Sequence, residues 1–504
     1  VTTAQPASGT STLTPIGDLL TAYAADADRP AVTCDGHTRT YGELESRANR
    51  LARAYEALGV GRGDFVTVAL PNGIEFFEVC YAIWKLGATP QPVSPRLPGP
   101  ELSRIIKLAG PALVVGAAAD GTPAVPPGFE PDAALADTPL GPRVAPAWKA
   151  TTSGGSTGSP KLIVAGRGGA VDPDAFLRPF MLRRGQVALV PGPLYHNAPF
   201  LSAFGGTFLG QHVIVLPKFD ARRTLEEIER HRVTYLALVP TMMLRILRIL
   251  DAEPGGYDVS SLDAVLHTAA PCPPWLKRRW IDLVGPEHLF EAYGGTEGQA
   301  FTVISGSEWA AHPGSVGRPV VGEIKVIGRD GDDEAPPGEV GRVVMRRSAG
   351  SGPAYRYIGA EARRYEGGWE SLGDMGWLDE DGYLYLADRD TDMLLVGGAN
   401  VYPAEVEAAI SEHPSVLSCA VVGLPDDDLG QRPHAVVQTD PAADLTIEDL
   451  RAFVEQRLVR YKVPRSFRFV TEALRDDAGK LRRGAVQAEE TARLTEARLT
   501  EDSQ

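Results

Sequence analysis

Between Thr40 and His267 the chain alternates apolar runs of strand length with amphipathic runs of helix length, and this alternation restricts the fold more than any other feature. Thr40-Tyr41-Gly42-Glu43 has capping-box spacing, a hydroxyl first and a carboxylate three residues later. Behind it Leu44, Ala48, Leu51, Ala52, Tyr55 and Leu58 share one helical face, and Gly59 stands where a C-terminal cap belongs. Residues 65–70 then read as a buried strand, 71–73 as a turn, and 74–86 as a helix stopped by Gly87. The pattern returns in strands over 212–216, 235–239 and 264–267, with a helix after Pro240. Such alternation predicts α/β layers built on largely parallel sheets.

At 504 residues the chain exceeds the roughly 250–300 that one hydrophobic core organises, so at least two folding units are expected. Residues 117–146, rich in Pro, Ala, Gly and Asp, read as a surface connection. After about Gly317 the texture changes to short β-like runs, 323–327 and 342–346. The last hundred-odd residues form a mixed unit of helices near 404–411 and 447–458 and strands near 417–422, 434–438 and 466–470. Charged residues interrupt the apolar pattern at 388–392, which sets the expected division at 1–388 and 389–504. The tail from Glu489 is charged and Thr-rich and reads as a frayed helix or disorder.

Composition removes several function classes. Fifty Lys and Arg against 65 Asp and Glu leave a net charge of −15, which disfavours nucleic acid or an anionic bilayer as the main partner. No apolar run reaches membrane-spanning length. The four cysteines (34, 80, 272 and 419) form no CxxC pair and no disulfide framework, and Cys272, between prolines, reads as an inert thiol. Residues 1–14 carry no signal-peptide core, so a cytoplasmic enzyme is the expectation.

Thr151-Thr152-Ser153-Gly154-Gly155-Ser156-Thr157-Gly158-Ser159-Pro160-Lys161 is the most informative segment. Glycines let backbone N–H groups converge on an anion, hydroxyls add donors, and the lysine adds charge. Glycine and serine alone would equally suit a flexible linker. The threonines, the Pro-Lys ending and the apolar Leu162-Ile163-Val164 that follows argue for a phosphate loop instead. It is not a Walker loop, because no Gly-Lys-Ser/Thr closes it.

The segment resembles the phosphate loop of the adenylate-forming superfamily of acyl-CoA synthetases, nonribosomal-peptide adenylation domains and luciferases. Further matches follow in that family's order: Tyr293-Gly294-Gly295-Thr296-Glu297, the adenine-side loop Thr268-Ala269-Ala270-Pro271, the turn 314–319, Ser371-Leu372-Gly373-Asp374, the hinge segment 388–392, the loop 398–407, and Gly479-Lys480-Leu481. The resemblance runs from about residue 15 to 485. Two departures stand out. The loop reads Ser-Gly-Gly-Ser with Leu162 after the lysine, and the hinge motif opens on Asp388 where the family has glycine. Both are similar to the branch that activates bulky polycyclic or aromatic acids, such as bile-acid CoA ligases.

The resemblance implies a large N-terminal domain of layered α/β sheets with a β-rich subdomain, and a small mobile α+β C-terminal domain. It implies attack of a carboxylate on the α-phosphate of ATP, then transfer of the acyl group to CoA. Ser153, Gly154, Gly155, Ser156, Thr157, Gly158 and Lys161 would wrap the distal phosphates. Ala269, Ala270, Pro271, Tyr293 and Gly294 would flank the nucleotide, with Asp374 and Arg389 at the ribose. Thr296 would meet the α-phosphate, Glu297 would hold Mg²⁺, and Lys480 would bridge carboxylate and phosphate. His196 would gate the acid pocket, lined by Asn197, His267 and Gly295. Asp390 would be the hinge and Gly398 would line the thiol tunnel.

Three other readings stay open at this level: an adenylating enzyme with a carrier-protein, amine or partner-enzyme acceptor, a luciferase-like oxidation of the same adenylate, and a degenerate nucleotide-binding scaffold. Survival of Glu297 and Lys480 argues against the last. The acid itself is unspecified beyond being hydrophobic, and family members include monomers and homodimers.

Overall fold

The computed structural model describes residues 13–154, 160–328, 331–389, 392–397, 399–426, 428–439, 444–476 and 479–501. It divides into two compact units, one made of 1–218, 233–235 and 352–361, the other of 219–232, 236–351 and 362–504.

In the first unit the expected capping box forms. Thr40 Oγ1 accepts the Glu43 N–H, and Glu43 returns to accept the Thr40 N–H at 2.9 Å. The helix Tyr41–Ala57 buries Tyr41, Leu44, Ala48, Leu51, Ala52 and Tyr55. Leu58 departs from the expectation: the helix ends before it, and the side chain is 41% exposed. The next helix, Ile74–Lys85, is buried on nearly every face, including its terminal lysine. Strands Phe65–Val68, Thr89–Pro92, Leu113–Val115 and Ala124–Val125 pair in parallel. Val187–Val190, His212–Val215 and Pro30–Cys34 do the same, and His37–Thr40 closes that edge antiparallel. Parallel pairing follows from the helices returning the chain between strands.

The core of this unit is aromatic. Trp84, Trp148, Phe200, Phe204 and Phe208 stack edge-on or tilted, with Trp84–Phe204 centroids 5.0 Å apart and Phe200–Phe204 4.5 Å. The Trp84 indole N–H donates to the Trp148 carbonyl, so the polar edge is satisfied. Residues 117–146 lack regular structure apart from Ala124–Val125, and they are strapped to the helix Tyr41–Ala57. Asn49 and Arg53 donate to the carbonyls of Asp137 and Thr138, and Arg50 pairs with the Asp137 carboxylate at 2.8 Å.

The second unit carries an extended sheet in which Ala264–His267 pairs in parallel with Leu289–Gly294, and every later pairing is antiparallel, through Phe301–Ser305, Ser315–Val321 and Leu384–Arg389 to Asp374–Leu378. The change in texture near Gly317 therefore marks the start of a β-rich region. Farther on, the hairpin of Val416–Asp426 and Gly430–Thr439, with Ser466–Val470 parallel beside it, packs against helices Pro403–Ser411 and Ile447–Glu455. Val406, Ile410, Val421, Val437, Leu450 and Phe467 form its core.

Of the two expectations for the tail, a frayed helix or disorder, the structure shows helix. Arg483–Glu501 is a continuous helix held by a buried acid: Glu490, 4% exposed, accepts from Arg468 at 2.5 Å and lies 3.2 Å from His434 Nε2. The charged composition left open how that helix docks, which Glu490 does through partners elsewhere in the chain.

Lys85 and Glu45 pair at 2.8 Å with both side chains almost fully buried, and burial lowers the Lys85 pKa. Removing one member strands the other charge in the core. Lys85→Met is expected to cost about 3–5 kcal/mol, measured as the shift in denaturant unfolding at constant slope.

Candidate active site

The strands Ala150–Gly154 and Pro160–Ala165 run antiparallel and bracket residues 155–159, with Ser153 opposite Lys161 and Gly154 opposite Pro160. Gly155, Ser156, Thr157 and Gly158 lie outside the described residues. On the far side of Pro160–Ala165 the strand Tyr355–Ile358 is antiparallel, with Tyr357 opposite Ile163. Residues two apart on a strand share a face, so Lys161 and Tyr357 become diagonal neighbours. Lys161 Nζ donates to Tyr357 Oη at 2.9 Å and lies 4.0 Å from the ring centroid. The root of the loop thus carries a cation fixed by an aromatic face.

The helix Asn197–Phe208 begins directly after His196, which is half-buried with its ring tilted against Tyr195. No side chain caps that helix. Asn197, its first residue, accepts through Oδ1 from Lys149 Nζ. Lys149 belongs to none of the recognised motifs. It is 4% exposed, lies 4.4 Å from the Trp148 ring centroid and 5.6 Å from that of Phe200, and desolvation lowers its pKa to about 7. Its signal in the sequence is a lone lysine in the small and apolar run 145–150, two residues ahead of the loop.

In the second unit the motif residues converge. Leu289–Gly294 presents Tyr293, whose hydroxyl donates to Asp374 Oδ2 at 2.7 Å. Arg389 Nε lies 3.4 Å from the other oxygen of the same carboxylate, because Asp374 and Arg389 are register partners on adjacent antiparallel strands. Burial and the Asp374 charge push the Tyr293 pKa well up, so the phenol stays a donor. Glu297 is 7% exposed, and Thr296 is half-buried. A side chain at Gly295 would meet the ends of the Leu372 and Glu297 side chains, so any substitution there would displace Glu297 Oε2.

Lys480 stands on a short turn: Asp476 N–H donates to the Lys480 carbonyl at 3.0 Å, and Lys480 N–H donates back to Asp476 Oδ1 at 2.9 Å. Gly479 takes φ +74°, and a Cβ there would lie 3.1 Å from Thr241 Oγ1. Lys480 is exposed in the folded chain, and desolvation from its surroundings lowers its pKa. Asp476 and Glu297 oppose that shift, and Arg389 adds to it. Lys480, Arg389 and Glu297 therefore feel one another's charge.

Ala269 sits at φ +75°, a left-handed conformation for a residue with a side chain, in the loop after Ala264–His267. Ala270 and Pro271 continue that loop. Thr268 Oγ1 anchors it by donating to the Ala292 carbonyl at 2.7 Å. His267 is fully buried and lies opposite Glu291 in the parallel register, beside the Lys277–Glu291 ion pair of 2.5 Å. Desolvation lowers its pKa to about 4. Cys272 is half-buried, and desolvation raises its thiol.

Asp390 and Gly398 lie outside the described residues. Asp388, the residue that departs from the family's glycine, has a structural task. Its Oδ2 accepts the Ala404 N–H at 2.9 Å, in the first turn of Pro403–Ser411, a helix with no cap from its own N-cap side chain. Among the described residues no cluster of three His, Cys, Asp or Glu side chains could hold a metal by protein atoms alone.

The chain matches the family model described as AMP-binding enzyme over residues 20–355, and the model of the AMP-binding enzyme C-terminal domain over 405–480. It is 33% identical over 487 residues to a feruloyl-CoA synthase of Amycolatopsis sp, covering 91% of this chain and 95% of that protein. It is 31% identical over 492 residues to the fatty acid–[acyl-carrier-protein] ligase ScoC of Streptomyces coeruleorubidus, covering 90% and 92%. Among solved structures, the amide bond synthetase McbA of Marinactinospora thermotolerans superposes with a TM-score of 0.77 at 27% identity, over 94% of this chain and 99% of that one.

Folding opposes protonation of His267 in the weakly acidic range. Its folded pKa lies below its unfolded value, so the unfolded chain takes the proton first. Stability is then full above about pH 6.5 and falls as pH drops toward 4. At pH 5 the contribution lost is about 2 kcal/mol. Comparing unfolding at pH 7 and pH 5 for the parent chain and for His267→Leu should show a shallower pH dependence in the variant.

Proposed function

Because this chain belongs to the AMP-binding enzyme family, we propose that it is an AMP-forming acid–thiol ligase acting on a hydrophobic, polycyclic or aromatic, carboxylic acid. The observation that carries the reading is the convergence of Tyr293, Asp374, Arg389, Glu297 and Lys480, drawn from separate stretches of sequence, on one locality. In the first step a carboxylate oxygen of the acid bonds to the α-phosphorus of ATP, and the bond to the β-phosphate oxygen breaks, releasing pyrophosphate. In the second, a thiolate attacks the acyl carbon and AMP leaves.

Both reactants of the first step are anions, so its barrier is electrostatic. Asp374 accepts from the ribose hydroxyls while Tyr293 and Arg389 fix its carboxylate. The segment 153–161, with Lys161 at its root, takes the distal phosphates, and the loop Ala269-Ala270-Pro271, with Tyr293 and Gly294, takes the base. Thr296 contacts the α-phosphate. Lys480, with no ion pair to a carboxylate among the described residues, neutralises the two approaching oxygens. Glu297 suits Mg²⁺, which needs only one or two carboxylates when phosphates and waters complete its shell. That ion would supply charge neutralisation on the phosphates.

His196 and Asn197 border the acid. His267, behind the Glu291 pair, supports the adenine-side loop. In the second step the division falls at 1–388 and 389–504, with Asp390 as the hinge and Gly398 along the thiol path. The Asp388–Ala404 contact holds the adenylating arrangement across that hinge. The aromatic class of acid is supported by the Ser-Gly-Gly-Ser and Asp388 variants and by the feruloyl-CoA synthase relative.

A second acceptor is favoured by one finding: ScoC is named for a carrier protein and McbA for amide formation. Pyrophosphate release from ATP across a panel of acids, with and without CoA, separates the readings. Acid-dependent release with a CoA thioester supports the ligase. Release without a thioester supports the other acceptors, and no release with any acid overturns both.

Two variants divide the half-reactions. Lys480→Ala is expected to lower adenylation about 10²–10³-fold while sparing thioester formation from a supplied acyl adenylate. Gly398→Leu is expected to do the reverse. The adenylation rate should also fall as pH rises through a value below the ordinary lysine range, since only the charged form of Lys480 acts. In Lys480→Arg that alkaline limb should disappear from the measurable range.

A further inference from the structure

Lys149 is a buried lysine that meets no anion among the described residues. Among the described residues its side chain has one hydrogen-bonding partner, the neutral Oδ1 of Asn197, and its other neighbours are the faces of Trp148 and Phe200. The remaining buried lysines are treated differently: Lys85 is paired with Glu45 and Lys277 with Glu291. A buried ammonium is costly without a countercharge, and aromatic faces offset only part of that cost. The same burial lowers its pKa to about 7.

A second, independent feature points to the same spot. Asn197 opens the 12-residue helix Asn197–Phe208, whose N-terminus carries no side-chain cap. The first turn of a helix exposes backbone donors and the positive end of its dipole. An uncapped helix start and a buried ammonium without a carboxylate therefore meet at Asn197. Together they make a locus that favours an oxyanion and that the protein itself leaves without one.

We propose that Lys149, with Asn197 and the helix start, is a specificity determinant that receives a second oxyanion on the acid substrate, a further carboxylate or sulfonate away from the carboxylate that is activated. This rests on the acid-activating reading for the placement of residues 196–197 at the acid. Binding would draw the proton onto Lys149 and form a charge-assisted hydrogen bond in a site with little water to compete. Asn197 keeps the ammonium aimed at the helix start.

The test is equilibrium binding of matched acid pairs to the full chain by calorimetry: benzoate against terephthalate, cinnamate against 4-carboxycinnamate, and octanoate against suberate. In the parent chain the second carboxylate of at least one pair should tighten binding tenfold or more. In Lys149→Met that advantage should vanish. In Asn197→Asp, where an internal carboxylate takes the ammonium, it should also vanish, which keeps the test decisive if Lys149→Met does not fold. A parent chain that binds the mono-acid of every pair at least as tightly overturns the proposal. So does an advantage retained in a folded variant. Because binding is read without turnover, loss of this inference is separable from loss of the acid-activating reading, which the pyrophosphate assay decides.

Discussion

Where the cations of this protein are held, and by what, governs the rest of its organisation. Carboxylates finish the cations that serve the fold: Lys85 on Glu45, Lys277 on Glu291, and Arg483 among Glu407 and Asp392. Near the motifs Arg389 also meets a carboxylate, Asp374, while three lysines have other holders. Lys161 rests on Tyr357, Lys149 on an amide and two aromatic faces, and Lys480 on a turn that fixes its backbone. Bringing a carboxylate to a phosphate needs positive charge that is positioned and not already neutralised.

The backbone devices serve the same end. Gly479 passes close to Thr241 in a left-handed turn, and the reciprocal bonds between Asp476 and Lys480 set the direction of the lysine. Asp374 and Arg389 meet because one antiparallel register makes them partners, and Tyr293 reaches the pair from another strand end. Asp388 adds a polar strap from the end of that sheet to the first turn of Pro403–Ser411. A carboxylate can do this where the family's glycine cannot.

Much of this was legible in the sequence. The capping box at Thr40, the helix face through Tyr55 and the parallel strands follow from local patterns that tertiary packing does not oppose. Leu58 was misread because periodicity continues past the residue at which the helix stops. The docking of the helix Arg483–Glu501 was not legible, because composition reports average solvation, whereas docking depends on a carboxylate, Glu490, finding Arg468 and His434. The site was legible where motifs name its residues. Lys149 and Tyr357 were not, since a lone lysine in an apolar run and a tyrosine on a distant strand acquire meaning only through register and burial.

In the proposed reaction the carboxylate oxygen of the acid becomes bonded to the α-phosphorus of ATP. Turnover of an acid labelled with ¹⁸O in both carboxylate oxygens measures this directly by mass spectrometry of the nucleotide product. Adenylation followed by thiol attack at the acyl carbon predicts AMP carrying a single ¹⁸O atom and unlabelled pyrophosphate. Unlabelled AMP, or label appearing in inorganic phosphate, would contradict it.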